Sequence, residues 1–368
     1  MYGRNGSLRR TGAVNGFARR SFGNARRSSK AYGPGMNIRL DDARLTLIGR
    51  LRHQLRLRHY SERTEKTYVD WVKRYVRFHA MRNPAHMGPT EVREFLTDLA
   101  VTRQVSASTQ NQARAALVFL YREVFMMGVP TMDGVERAKR PHRLPVVMTR
   151  DEVSSVLESM NGASHLAAML LYGGGLRLME ALTLRVKDVD LESESITVRG
   201  GKGGKDRVTV LPKRAVEPLR AHVRRVGNLW RRDMRLADFA LELPDAFERK
   251  SPSAARDFRW YWLFPARRLR SGGKSGEHRG NAAGGLTRSH MHATALQRAV
   301  STAVGLAGIT KRVGCHTFRH SFATHMLASG YDIRTIQELL GHKDVSTTMI
   351  YTHVLNRGGR GVRSPADG

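Results

Sequence analysis

The chain has 368 residues, with 63 Lys and Arg against 32 Asp and Glu and a formal net charge of +31. That length suffices for two domains, each burying its own core. So large a positive excess costs self-repulsion in the folded state and points to a polyanionic partner, because each neutralised phosphate of a nucleic acid releases condensed counterions. An anionic membrane is the competing partner, but the sequence holds no apolar run long enough to span a bilayer and no strongly basic amphipathic anchor. The single cysteine, Cys315, rules out an intramolecular disulfide and fits a reducing compartment. The basic N-terminus lacks the continuous apolar stretch of a secretory signal, so a soluble, cytoplasmic protein is expected.

Residues 1–35 are rich in Gly, Arg and Ser and contain no acidic residue. They carry too few apolar groups to offset the entropy of ordering and are expected to form a disordered basic tail. Two alternatives are a start at Met36 and a basic arm on DNA. Ordered patterns then run over 36–130. Ser61 can cap a helix with Tyr68, Trp71, Tyr75 and Phe78 at helical spacing. A second helix follows Pro89 and Thr90, with Val92, Phe95, Leu96 and Leu99 on one face; a third begins near Ser106 or Ser108 and carries Ala113, Leu117, Leu120, Tyr121 and Val124. These stripes read as core, and the Arg and Lys on the outer faces suit a helical domain that grips a phosphate backbone.

Pro130, Pro141 and Pro145, among basic residues, mark an interdomain linker over 131–148. A second domain over 149–357 opens at Thr149-Arg-Asp-Glu152, a capping-box pattern, and leaves a C-terminal tail over 358–368. Residues 195–199 and 206–211 alternate around Gly200-Gly-Lys-Gly-Gly-Lys205, which predicts a β-hairpin with a lysine-tipped turn. Helices dominate the remainder.

The densest set of reactive side chains is Cys315-His-Thr-Phe-Arg-His320. Thr317 can cap a helix with Phe318, Phe322 and Met326 buried, leaving His316 just outside it and Arg319 in its first turn. Backbone N–H groups there favour an anion, and Arg319 adds a planar fork suited to phosphate. A helix bearing Ile333, Ile336, Leu339 and Leu340 follows Asp332 and ends at Gly341, directly before His342. A short helix after Ser346 carries Tyr351. Upstream, Tyr172-Gly-Gly-Gly-Leu-Arg177 precedes Glu180, read as a carboxylate that pairs an arginine. Each motif is weak alone. Together they supply cations for a phosphoryl transition state, proton donors and acceptors, and a nucleophile, with no carboxylate pair for Mg²⁺.

Gly-Leu-Arg177, the hairpin lysine, His316-x-x-Arg319, Leu-Gly-His342 and Tyr351 together resemble the tyrosine recombinases, in order and spacing, from about residue 40 to the end. The stretch Leu236–Arg298, with Glu248-Arg-Lys250, Trp260 and Phe264-Pro265, looks like the extra segment of integron integrases, as does Cys315–Ser364. The resemblance implies an α+β, mainly helical fold. It consists of a helical SAM-like core-binding clamp and a mixed catalytic domain of the DNA breaking-rejoining type with a small β-sheet, closing on DNA as a C shape.

It also implies roles. Arg177 and Arg319 would clamp the scissile phosphate, with His316 as general base or phosphate ligand. His342 would donate to a nonbridging oxygen, Tyr351 would attack phosphorus to give a 3′-phosphotyrosyl link, and Lys202 would protonate the leaving 5′-hydroxyl. Gly201-Lys202-Gly203 favours Lys202 over Lys205, which is left as a DNA contact. No cofactor is implied, neither metal nor ATP. In integron integrases the added segment helps recognise extruded bases. Trp260 is therefore expected to stack on such a base or to serve as core of an inserted helix. His290 matches one of two adjacent family histidines, although Ser289 replaces the other. The implied partners are DNA, as duplex attachment site and folded single-stranded cassette site, and further copies in a homotetramer on two sites. Val354 and Leu355 would dock on a neighbouring subunit or pack in cis.

Three rivals share some of these features. Cys315, His316, His320 and His325 crowd as a zinc site would, but no Glu lies between His316 and His320. A non-catalytic DNA-binding regulator needs no such tyrosine. A type IB topoisomerase, a resolving recombinase or a phage integrase shares the chemistry but not the inserted segment.

Overall fold

A computed structural model describes residues 46–127, 138, 145–200, 205–244, 247, 250–271 and 285–355. The expected tail over 1–35, most of the linker, Lys202 and the side chains of Val354 and Leu355 lie outside those residues. The chain divides into two compact units, Met1–Pro141 and His142–Gly368.

In the first unit, α1 (Leu47–Leu57) starts at Thr46, whose hydroxyl accepts from Gly49 N, and buries Leu51 and Leu55. The sequence reading missed this helix. α2 (Glu62–Phe78) and α4 (Ala107–Phe119) begin at Ser61 and Ser106, each capping the backbone N–H three residues on. α3 (Pro89–Thr97) lies between them, and both α3 and α4 run on into short π-helical turns. Val72, Tyr75, Val92, Phe95, Leu117 and Tyr121 meet in one core. The two phenols there are satisfied: the hydroxyls of Tyr75 and Tyr121 lie 2.9 Å apart, and Tyr121 donates to the Pro84 carbonyl. Phe78 departs from the expected stripe. At the last turn of α2 it runs past the core and is 38% exposed.

The second unit opens with α5 (Arg150–Glu158), where Thr149 and Glu152 form the expected capping box. α6 (Gly162–Gly173) buries Leu166, Ala167, Ala168, Leu170 and Leu171, the signature of a helix covered on most sides. α7 (Leu178–Leu182) and an antiparallel meander follow: β1 (Val189–Asp190), β2 (Ser195–Val198) and β3 (Arg207–Val210). α8 (Lys213–Met234) leads into the segment that resembled an insertion, and α9 (Ala293–Leu306), α10 (Cys315–Ala328), α11 (Ile333–Leu340) and α12 (Ser346–Leu355) complete the unit.

The register of the hairpin sets which residues face inward. Ile196 pairs with Thr209 and Val198 with Arg207, so these four side chains share one face. Ile196, Val198 and Thr209 on that face are buried, whereas Val208 and Val210 are exposed. Strand β3 thus turns an arginine and a threonine inward and two valines outward. Thr209 donates to the Gly174 carbonyl at 2.9 Å, so its hydroxyl is satisfied.

The segment after α8 packs on that helix in a small core of Val226, Phe239, Leu241 and Tyr261, with a two-stranded ladder of β4 (Arg270–Ser271) and β5 (Leu286–Thr287). Beneath it, Arg288 grips Asp233 through two bonds of 2.6 and 2.7 Å, and Tyr261 donates to the same carboxylate. Such a buried pair tolerates desolvation because every member has partners. Among the described residues, no helix is long and apolar enough to cross a membrane.

Candidate active site

The site is built on the ends of α6, α10 and α11 and on α12. The chain leaves α6 through Gly174 and Gly175, and Gly175 has φ +62. A Cβ there would sit 2.5 Å from the Phe322 ring, so close packing and left-handed backbone both require glycine. The turn delivers Arg177 to the N-cap of α7, where its backbone N–H donates to Glu180 and its Nη1 pairs with Glu180 Oε1 at 2.6 Å. Glu180 thus pairs an arginine as expected. It also accepts two bonds from Arg207, at 2.9 and 2.6 Å, and lies 3.8 Å from Arg319. Burial by itself would raise this carboxyl, but the bonds from Arg207 and Arg177 outweigh it and hold the pKa at about 2.

Arg319 is 4% exposed. Its Nη1 donates to Gly175 O at 2.5 Å, and its Nη2 donates to Leu340 O at 2.6 Å and to His342 Nε2 at 3.0 Å. Burial, then Arg177, push its pKa down to about 9, so the guanidinium stays charged at neutral pH. Because Nε2 of His342 accepts that bond, its Nδ1 carries the proton and donates to Thr348 Oγ1 at 2.9 Å. Gly341, at φ +61, ends α11 in the left-handed cap that the sequence predicted, and a Cβ there would meet Arg207 Cδ at 2.8 Å.

Tyr351 is 4% exposed, with its ring stacked on His342 at 6.5 Å and 16°. Its hydroxyl lies 3.1 Å from His320 Nδ1. Burial raises the phenol pKa, and Arg319 and Arg177 pull against that shift. His316 stands at the start of α10; partial burial of its ring, then Arg319 and Arg177, lower its pKa. A cleft beside Arg177 is lined by Glu180, Thr183, Asp188 and Arg199.

Several expectations need correction. α10 begins at Cys315 with Gly314 as cap, and Thr317 instead accepts from Gly314 N in the first turn. His316 therefore lies inside the helix, not before it. Trp260 is in a short 3₁₀ turn and is half-buried, neither core of an inserted helix nor a bare ring. It meets Phe247 at 4.4 Å between centroids and the Lys187 ammonium at 4.1 Å. His290 bonds the Met291 carbonyl and packs edge-on to Trp262. Lys205 is exposed at the base of the hairpin turn. Of the crowded histidines, His320 bonds Tyr351 and His325 bonds Tyr172 at 2.8 Å, while burial pushes the Cys315 thiol up to about 11. Among the described residues, no group of three or more His, Cys, Asp or Glu is placed to hold a metal.

The structure thus brings Arg177, His316, Arg319, His342 and Tyr351 together. Two neighbours escaped the sequence reading. Arg207 was hidden because alternation alone does not say which face of β3 turns inward; its position opposite Val198 was the available signal. His320 contacts a residue 31 positions away, for which no local pattern exists.

The family model for the phage integrase family matches residues 146–357, and the model for its N-terminal SAM-like domain matches residues 47–129. An integrase/recombinase of Escherichia coli is 48% identical over 321 residues, covering 87% of this chain and 93% of that protein. Tyrosine recombinase XerD of Mycobacterium tuberculosis is 33% identical, over 84% of this chain and 93% of its own. A lambda integrase dimer bound to a COC′ core site has a similar fold, with TM-score 0.58 and 15% identity over 86% of this chain and 98% of that one. The chain belongs to the phage integrase family, the tyrosine recombinases that act at specific sites on DNA.

Proposed function

We propose that this recombinase cleaves and rejoins DNA through a 3′-phosphotyrosyl bond at Tyr351, and that it integrates and excises gene cassettes at integron recombination sites. The observation that carries the chemistry is the convergence of two guanidiniums, two imidazoles and one phenol, with the Tyr351 ring stacked on the His342 that Arg319 holds. Arg177 and Arg319 clamp the scissile phosphate, His316 borders it, and His342 donates to a nonbridging oxygen from Nε2, which gains a proton as its bond from Arg319 gives way to the phosphate. Tyr351 attacks phosphorus, and Lys202 gives a proton to the leaving 5′-oxygen. A second strand's 5′-hydroxyl reverses the step. The bond energy is kept in the phosphotyrosine, so neither metal nor ATP is consumed. The enzyme works in the cytoplasm as a homotetramer on two sites, one a duplex attachment site and one a folded single-stranded cassette site. Lys205 contacts the backbone there. In this reading Val354 and Leu355 dock on a neighbouring copy.

The cassette reading rests on the segment after α8, which shares a small core with that helix, bordered by Trp260. One observation favours a second reading. Trp260 is engaged by Phe247 and Lys187, and His290 by Trp262, so neither ring is a ready stacking platform. A recombinase of duplex sites alone, of the phage or chromosome-resolving kind, needs no such platform.

A nicked suicide substrate tests both readings, offered as folded cassette strand and as duplex in EDTA without nucleotide. Adduct favouring the folded strand supports cassette recombination, whereas adduct confined to duplex sinks it and leaves the tyrosine chemistry standing.

A further inference from the structure

The reaction needs a group to take the phenolic proton of Tyr351 as the oxygen attacks phosphorus. Among the described residues, the ring nitrogen bonded to that hydroxyl is Nδ1 of His320, at 3.1 Å, with ring centroids 5.7 Å apart and planes inclined by 50°. That distance is already within reach for direct transfer. Both partners are fixed in place. His320 sits on α10 one residue after Arg319, and Tyr351 is buried on α12, which packs against α10.

We propose that His320 is the general base of strand cleavage, accepting the Tyr351 proton at Nδ1. The inference rests on the proposed tyrosine chemistry and adds a residue to it. In the forward step the Tyr351 Oη–phosphorus bond forms as the phosphorus–5′-oxygen bond breaks. The phenolic proton moves to His320 Nδ1, and the departing 5′-oxygen takes a proton from the general acid of the proposed function. In the reverse step the imidazolium returns its proton to the Tyr351 oxygen as the incoming 5′-hydroxyl attacks.

The surroundings keep the base neutral. His316 and Arg319 face it from its own helix, Tyr351 and the stacked His342 from the α12 side, and Arg177 lies beyond Arg319. Tyr172 of α6 is engaged with His325. Burial, then His316 and Arg319, lower the His320 pKa to about 4, so the ring is free to accept a proton at neutral pH. Burial raises the phenol of Tyr351, and Arg319 and Arg177 pull against that rise.

The test is single-turnover adduct formation on a nicked suicide substrate from pH 6 to 9, with wild type, Tyr351→Phe, His320→Asn and His320→Ala. The asparagine keeps a polar atom near the place of Nδ1 but cannot take a proton, and thermal unfolding and DNA retention monitor folding. Wild type should show a flat profile. Both His320 variants should bind DNA yet cleave roughly 10²–10⁴-fold more slowly at pH 7, the usual range for a lost acid–base group. Their rates should climb about tenfold per pH unit as hydroxide replaces the base, and added imidazole should rescue His320→Ala. A wild-type rate for His320→Asn, or a loss that is uniform with pH and not rescued, overturns the proposal. If wild type itself forms no Tyr351-dependent adduct, the underlying function falls instead.

Discussion

Glu180 has the most consequential set of partners of any single residue. It offers the counter-charge to Arg177 and Arg207 and lies within 4 Å of Arg319, so one carboxylate keeps several cations in a small volume. Glu180→Gln leaves them without it, and a loss of about 3–5 kcal/mol in urea unfolding at pH 7 is expected. The sign of the pH dependence follows from the depressed carboxyl. Its stabilisation is present above the unfolded pKa and is lost as pH falls through the folded value of about 2. The stability gap between wild type and Glu180→Gln should therefore narrow from about pH 5 downward and be nearly closed at pH 2. A gap constant over that window would contradict the ion-pair assignment. The pairing of Glu180 with an arginine was legible from Arg177-x-x-Glu180. The identity of Arg207 as its bidentate partner was not, because that partner arrives through strand register.

At the scale of elements, the caps were the most readable features. Ser61, Thr149 and Asp332 start helices where their short polar side chains predicted, and Gly341 ends one. These signals are local, so tertiary context had little to override. α1 lacks such clarity, since Leu47, Leu51 and Leu55 are spread among arginines and acquire a buried face only in the shared helical core. The start of α10 was misplaced because Thr317 faces back to Gly314 from inside the first turn, as the far half of a capping box. Two substitutions separate stability from alignment. Asp332→Ala should cost about 1 kcal/mol through the lost cap and leave cleavage at the wild-type rate. Gly341→Ala forces a side chain into left-handed backbone at about 1–2 kcal/mol and presses on Arg207. Because His342 is the next residue, its cleavage rate should fall at least tenfold while DNA binding persists. Chemical unfolding and adduct kinetics on the same preparations check both.

For the whole molecule, composition and order carried the reading furthest. Two compact units, a net charge of +31 and a fixed sequence of reactive residues all pointed to one class of DNA enzyme. The positive charge has a measurable consequence. DNA affinity should fall steeply with salt, by roughly 10³–10⁵ between 50 and 200 mM if six to ten phosphates are contacted, as read by anisotropy titration. A flat salt response would show that the charge serves something else. What the sequence could not convey was how residues far apart in the chain meet, as His320 meets Tyr351 and Arg207 meets Glu180. The central claim is that Tyr351 joins covalently to DNA. It is tested most directly by trapping the adduct on a suicide substrate, digesting the DNA and mapping the modified tryptic peptide. The expected product is Asp344–Arg357 carrying a nucleotide on its only tyrosine. A nucleotide on any other residue, or no adduct from protein that retains the DNA, would contradict the account.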